Sequence, residues 1–113
     1  MQMKQNQQFE TFNDGVCAVF ALNNQEKYQC KFPYIRFAKR IIGSKRFFEA
    51  AQVNQMINLV IRIPFAADIN TDNIVIIGEK QYKVIQVQNI NTTRPNTTDL
   101  SLQQLSRLVA LEA

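Results

Sequence analysis

The fold is decided by residues 57–88, INLVIRIPFAADINTDNIVIIGEKQYKVIQVQ, which contain three strand-like segments. The first segment, residues 59–63, stops at Pro64, which has no N–H to donate to a ladder. The second, residues 74–77, is fully apolar. A tight turn at Gly78-Glu79-Lys80 then leads back into the third segment, residues 82–88, because glycine is free to take a positive φ. The last two segments predict a β-hairpin.

Strand signals recur on both sides of this hairpin. Asn13-Asp14-Gly15 marks a turn, and residues 16–22 are continuously apolar, as in a strand buried on both faces or a strand of a closed barrel. Residues 28–38 predict another strand, in which Pro33 implies an edge position, a bulge or a bend between two short segments. The closing strand is residues 97–102, where Thr98, Leu100 and Leu102 share one face and Asp99 and Ser101 the other.

The remaining segments predict a helix, loops and two tails. Residues 45–52 contain good helix formers behind a Ser44 cap, with Phe47, Phe48 and Ala51 on one apolar face. Residues 65–72 are rich in turn-forming Asp and Asn and predict a surface connection, and residues 89–96 predict a loop. Residues 103–113 are compatible either with a little helix or with a frayed end.

These elements predict one mainly β domain, a small antiparallel β-barrel or a two-layer sandwich with one short inserted helix. We expect a flexible polar arm over residues 1–14, the barrel domain over residues 15–105 and a C-terminal tail over residues 106–113. The predicted core is Val19, Leu22, Leu59, Ile61, Ile63, Val75, Ile77, Tyr82, Val84, Val87, Leu100 and Leu102.

Composition argues against enzymatic chemistry. The chain of 113 residues has no histidine, the most common general base, and none of its three glycines belongs to a phosphate-binding pattern. Asp68 and Asp72 are neighbours in sequence, but turn formation explains them better than a metal or acid–base pair. Cys17 and Cys30 are expected to be buried or half-buried thiols of a reducing compartment. We therefore expect no enzyme, no metal and no cofactor, and a chain that is neither secreted nor inserted in a membrane.

The formal charge of +4 is unevenly distributed. Eight basic residues and one acid lie from Lys27 to Arg62, which gives +7 there and −3 elsewhere. The segment also carries Phe32, Tyr34, Phe37, Phe47 and Phe48, a mixture of cations and aromatic rings found on nucleic-acid surfaces. A solvated strand face with core aromatics explains the same composition, so the pattern predicts no more than compatibility with DNA or an acidic partner.

Five blocks of the chain together resemble the phage head–tail joining family, the stopper or head-completion proteins of long-tailed phages. They are residues 13–17 (NDGVC), 42–50 (IGSKRFFEA), 60–64 (VIRIP), 75–88 (VIIGEKQYKVIQVQ) and 100–102 (LSL). Each block is a packing pattern, so the resemblance rests on their order and spacing between residues 13 and 105.

The resemblance implies a structural virion protein, assembled as a ring under the portal and its adaptor at the head–tail junction of a phage or prophage. Such a ring links the filled capsid to the tail and helps to retain packaged DNA, which it contacts without sequence preference. Its subunits are made in the host cytoplasm and are expected to be monomeric or weakly associating before assembly. The candidate channel or interface residues are Lys39, Arg40, Lys45, Arg46, Phe65, Asp68 and Asp72, and the candidate structural turn residues are Gly15, Pro64 and Gly78.

Two other classes of protein fit the same sequence. Another neck or tail-completion ring protein would share the size and β content, whereas a largely helical adaptor would be distinguished by its circular dichroism. A free oligonucleotide-binding barrel would use the aromatic and basic residues from 31 to 48, and its DNA binding would be lost on Phe37→Ala.

Overall fold

The computed structural model describes residues 8–9, 11–42, 49, 51–52, 56–64, 66 and 68–112. Within them the chain forms eight strands: β1 (Gln8–Phe9), β2 (Gly15–Leu22), β3 (Tyr28–Arg40), β4 (Leu59–Pro64), β5 (Ile74–Ile77), β6 (Lys80–Ile90), β7 (Thr93–Arg94) and β8 (Thr97–Gln104). Six of these strands close into an antiparallel barrel in the order β2-β3-β4-β8-β6-β5. The predicted mainly β class is confirmed, and the architecture is the barrel rather than the sandwich.

Strands β5 and β6 form the predicted hairpin. Ile77 pairs with Lys80, so the turn consists of Gly78 and Glu79 alone, and Lys80 belongs to β6 instead of the turn. Gly78 has a φ of 62°, which residues with a side chain rarely adopt. The turn therefore requires glycine at this position.

Strand β3 is one strand of 13 residues that carries a β-bulge beside its proline. Cys17 pairs with Ile35 and Val19 pairs with Phe32, so three steps along β3 match two steps along β2. The extra residue falls around Pro33, where a missing N–H costs no regular ladder bond. The sequence predicted an edge position, a bulge or a bend at Pro33, and the structure has the bulge.

The core fills the barrel interior. Of the twelve predicted core residues, eight are buried, and Leu59, Ile77 and Val87 pack against them while partly exposed. Leu22 was predicted wrongly, because it lies on the outer face at the end of β2 and is 50% exposed. The core also contains three residues that the prediction omitted, namely Cys17, Phe37 and Ile69.

Ile69 shows that the connection between β4 and β5 is not only a surface loop. Asp68 and residues 70–72 are exposed as expected, but the Ile69 side chain is buried in the barrel core. The turn that follows is built by amides: the Asn70 N–H donates to Asn73 Oδ1 at 3.0 Å, and the Asp72 N–H donates to Asn70 Oδ1 at 2.9 Å. Asn70 and Asn73 thus provide turn-forming side-chain bonds of the kind expected from the Asp and Asn residues of this segment.

The outer face of β4 and β8 is buried as well as the inner one. Val60 pairs with Ser101 and Arg62 pairs with Asp99 on this outer face, and all four are buried. Arg62 Nε donates to Asp99 Oδ1 at 2.7 Å and Arg62 Nη2 donates to Asp99 Oδ2 at 3.1 Å. A bidentate ion pair of this kind provides a hydrogen bond to each oxygen of the buried carboxylate.

Three predictions concern segments outside the barrel. Glu49, Ala51 and Gln52 are helical, but the rest of the predicted helix, with Ser44, Phe47 and Phe48, lies outside the described residues. The predicted loop 89–96 is wrong in part, since β6 reaches Ile90 and β7 occupies Thr93–Arg94. Strand β7 pairs in parallel with β1, whose two residues fall within the predicted arm.

Candidate functional site

One end of the barrel, where β3 finishes and β4 begins, presents cations beside bare apolar side chains. Lys39 and Arg40 are the last residues of β3 and are exposed. Ile41 follows them and is 94% exposed, and Met56 is also exposed. We name these four residues the basic end.

Backbone pairing holds the basic end in place. Arg40 pairs with Val60 of β4, and the Lys39 N–H donates to Asp14 Oδ2 at 2.7 Å. Ile42 packs against Ile57 and Val60, so the segments that leave β3 and enter β4 lie side by side. The backbone next to the exposed Ile41 and Met56 side chains is therefore held in place by strand pairing and packing.

The predicted site residues are not brought together in one place. Asp68 and Asp72 lie exposed in the β4–β5 connection, at the opposite end of β4 from the basic end. Lys31 donates its ammonium to the Asp68 carbonyl oxygen, which ties this connection to β3. Lys45, Arg46 and Phe65 lie outside the described residues.

The predicted structural turn residues occupy three different settings. Gly15 begins β2 directly opposite Phe37, and a Cβ at Gly15 would lie 2.7 Å from Phe37 Cζ. Pro64 ends β4, as its missing N–H predicts, and Gly78 makes the hairpin turn. Gly15 is thus required by close packing against a buried ring.

The basic, aromatic surface predicted between residues 27 and 62 is smaller than the sequence indicates. Arg62 is buried against Asp99, so its charge is neutralised inside the wall of the barrel. Phe37 is buried in the core at 1% exposure and offers no face for a nucleotide base. Tyr34, by contrast, is 66% exposed on β3 next to the bulge.

Arg36 lies on the same outer face of β3, and two of its guanidinium nitrogens donate hydrogen bonds to residues that precede β2. Its Nε donates to the Phe12 carbonyl oxygen at 3.1 Å, and its Nη2 donates to Asn13 Oδ1 at 3.2 Å. The guanidinium is nevertheless exposed, and Tyr34 lies two residues away. Tyr34 and Arg36 are therefore the accessible aromatic and cationic groups of this strand.

The thiols differ in environment. Cys17 is buried in the core, and this burial raises the pKa of its thiol from 9.0 to about 12. A thiol with this pKa is protonated at neutral pH and is a poor nucleophile. Cys30 is exposed on β3, so the expectation that both thiols are buried or half-buried is wrong for Cys30.

Neither a metal-binding cluster nor a membrane-spanning helix is found in the part of the chain that the structure describes. No group of three or more His, Cys, Asp or Glu side chains there is placed to hold a metal ion. No helix among these residues is both long and apolar enough to cross a bilayer. Comparison with protein-family models and with curated protein sequences gives no match for the chain.

Sequence reasoning missed the apolar half of the basic end. Lys39 and Arg40 were predicted as surface residues from their charge, but Ile41 and Met56 gave no such signal. Its position in the sequence could have predicted the exposure of Ile41, because this residue directly follows two consecutive cations at the end of a strand.

Proposed function

We propose that this protein is a structural component of the phage head–tail junction, a ring-forming stopper or head-completion protein. Its partners are further copies of itself, the portal and adaptor complex above it, the neck proteins on the tail side and the packaged DNA in the channel. The basis is the resemblance carried by the five sequence blocks, together with the barrel that such proteins are expected to form. The protein would act in the virion without catalysis.

The observation that best supports this proposal is the basic end. Lys39 and Arg40 provide positive charge, while the bare Ile41 and Met56 side chains provide apolar area for a protein contact. In a ring each copy contributes the same groups, so the charge facing the centre is multiplied by the number of subunits. Contacts with phosphates of this kind need no base sequence, as a DNA conduit requires.

The test is charge reversal in a phage complementation assay. Lys39, Arg40, Lys45 and Arg46 are changed together to glutamate. We expect near-normal melting, because Lys39 and Arg40 are exposed and Lys45 and Arg46 are predicted surface positions, and substitutions at exposed positions usually change stability by no more than about 0.5 kcal/mol each. We also expect loss of infectious titre, of stably filled heads, or of both.

The matched comparison uses two variants with the same change in net charge: Lys39 and Arg40 of the basic end are changed to glutamate in the test variant, and Lys27 and Lys80, which are exposed elsewhere, are changed to glutamate in the control. The control leaves the basic end intact. Normal titre in the control with loss in the test variant would support the proposal. Wild-type titre and filled heads from both variants would refute the role of the basic end.

An oligonucleotide-binding barrel is the second candidate, supported by exposed Tyr34 beside Arg36. Phe37→Ala no longer tests it, because Phe37 belongs to the core. Tyr34→Ala is the proper substitution, since stacking on an accessible ring contributes about 1–3 kcal/mol per base. Salt-dependent binding of single-stranded DNA that weakens in Tyr34→Ala, without any loss of phage assembly, would favour this candidate.

A further inference from the structure

The residues after β8 cross the outer wall of the barrel as an extended segment instead of forming a helix or a frayed end. We call residues 105–112 the strap. Its first residue donates from the Leu105 N–H to the Gln81 carbonyl oxygen on β6 at 2.9 Å. Near its end, Leu111 makes a parallel bridge with Tyr28 of β3, and the Glu112 N–H donates to the Tyr28 carbonyl oxygen at 2.8 Å. The strap therefore spans β6, β5, β2 and β3.

Gln81 fixes the middle of the strap with its side-chain amide. Gln81 Nε2 donates to the Val109 carbonyl oxygen at 3.0 Å, and the Val109 N–H donates to Gln81 Oε1 at 2.7 Å. The Gln81 side-chain amide thus donates and accepts the two hydrogen bonds that the backbone of a neighbouring strand would otherwise make with Val109. These bonds recognise an extended backbone and place little demand on the side chains it carries.

The surface under the strap is mainly apolar and is incompletely filled. Ile74 lies on the outer face of β5 and is only 4% exposed, whereas Leu22 beside it is 50% exposed. A crevice of about 290 Å³ runs between the strap and the wall. Leu22, Tyr28 and Ile74 border it from the barrel, Leu105 and Val109 border it from the strap, and its polar border consists of Thr71, Asp72, Asn73 and Lys83. We call this surface the strap groove. The strap covers it without packing tightly into it.

The strap is also easy to redirect. Ser106 and Arg107 form an exposed bend immediately after its first hydrogen bond, and Leu108 points its side chain into solvent. A change of backbone torsions at this bend would carry residues 109–112 away from their own barrel. Every bond that they make there is equally available from an identical segment, which is the condition for exchange between copies.

We propose that the strap groove is a subunit-docking site, and that in the assembled ring it holds the strap of an adjacent copy. The ring part of this inference rests on the proposed function. Exchange would connect each subunit to the next through backbone hydrogen bonds while keeping Ile74 covered.

The experiment traps the Leu111–Tyr28 contact as a disulfide. Cys30 is first changed to serine, and buried Cys17 is left in place. One protein then carries Tyr28→Cys and a second, of different size through a tag, carries Leu111→Cys. The two are mixed at rising concentration, and are also produced together in phage-infected cells, before oxidation and a non-reducing gel. Tyr28→Cys mixed with Glu79→Cys is the control, because Glu79 is exposed in the turn between β5 and β6 and belongs neither to the strap nor to the lining of the strap groove.

We expect a mixed disulfide at least about tenfold more abundant than in the control, because docking raises the local concentration of the two thiols. We further expect that a single chain carrying both Tyr28→Cys and Leu111→Cys, once oxidised within itself, no longer assembles, and that reduction restores assembly. A mixed disulfide no more abundant than the control in both settings, while the double variant still bonds within one chain, would overturn the proposal.

The outcome for the strap groove is separable from that for the proposed function. A mixed disulfide in concentrated solution, with the protein missing from phage particles, would uphold the groove and reject the virion role. If the protein is present in phage particles but forms no mixed disulfide, the virion role is upheld and the strap groove as a docking site is rejected. Absence of both would reject both.

Discussion

The buried pair of Arg62 and Asp99 gives the sharpest test of the barrel wall. Both side chains are less than a tenth exposed, and the guanidinium binds both carboxylate oxygens, at 2.7 and 3.1 Å. Asp99→Ala removes the carboxylate and leaves a cation away from water. Breaking a buried pair from one side costs about 3–5 kcal/mol, much of it the desolvation of the remaining charge. For a domain of this size, 1 kcal/mol corresponds to roughly 4 °C in Tm, so the loss is about 12–20 °C.

A second variant separates the pair from its surroundings. Arg62→Met with Asp99→Leu replaces both charges by apolar groups, and we expect a stability within about 1 kcal/mol of the parent or above it. Urea unfolding followed by circular dichroism measures both variants, with the slope against urea checked for constancy. Asp72→Ala, an exposed acid, serves as the control and should change stability by less than about 0.5 kcal/mol. A cost below about 1 kcal/mol for Asp99→Ala would mean that water reaches the outer face of β4 and β8.

Four further predictions concern the core and the two thiols. Ile61→Ala should cost about 2–4 kcal/mol, whereas Ile41→Ala, at 94% exposure, should leave the melting curve unchanged, and equal effects would contradict the strand assignment. Gly15→Ala places a methyl group 2.7 Å from a buried ring and should cost about 1–3 kcal/mol in urea unfolding; a neutral result would mean that the ring moves freely. Because burial raises the Cys17 pKa from 9.0 to about 12, the folded state holds this proton more tightly, so stability should fall as pH rises above 9 and Cys17→Ala should lessen the fall. At pH 8 a thiol reagent should label Cys30 and spare Cys17 until the chain is unfolded.

The local sequence predicted where the strands and turns of this barrel lie better than it predicted which side chains are buried. The hairpin follows from Gly78 between two apolar runs, and the end of β4 follows from Pro64, because a positive φ and a missing N–H act on immediate neighbours. Leu22 was misplaced because successive side chains of a strand point to opposite faces, so Leu22 and the buried Val19, which lie three residues apart on β2, face opposite sides of the barrel wall.

Tertiary contacts decided the residues that sequence reasoning missed. Phe37 looks the same in sequence whether its ring stacks on a base or packs over Gly15. Asp99 has the hydrophilicity of a surface residue, and only the pairing of β4 with β8 reveals the arginine opposite it. At the candidate site, charge predicted Lys39 and Arg40 as surface groups, while the exposure of Ile41 depends on where β3 ends.

The strand order also sets the sequence in which the molecule can form. Strand β8 lies between β4 and β6, and β2 must find β5 more than fifty residues further along the chain. Three of the six pairings in the barrel, β2–β3, β5–β6 and β6–β8, are local. The other three, β3–β4, β4–β8 and β2–β5, require the closure of longer loops, which slows folding to the range of milliseconds to seconds. During synthesis the barrel cannot close until Thr97–Gln104 has left the ribosome. Until then β4 and β6 each expose an unpaired edge, which makes the nascent chain a natural client for chaperones.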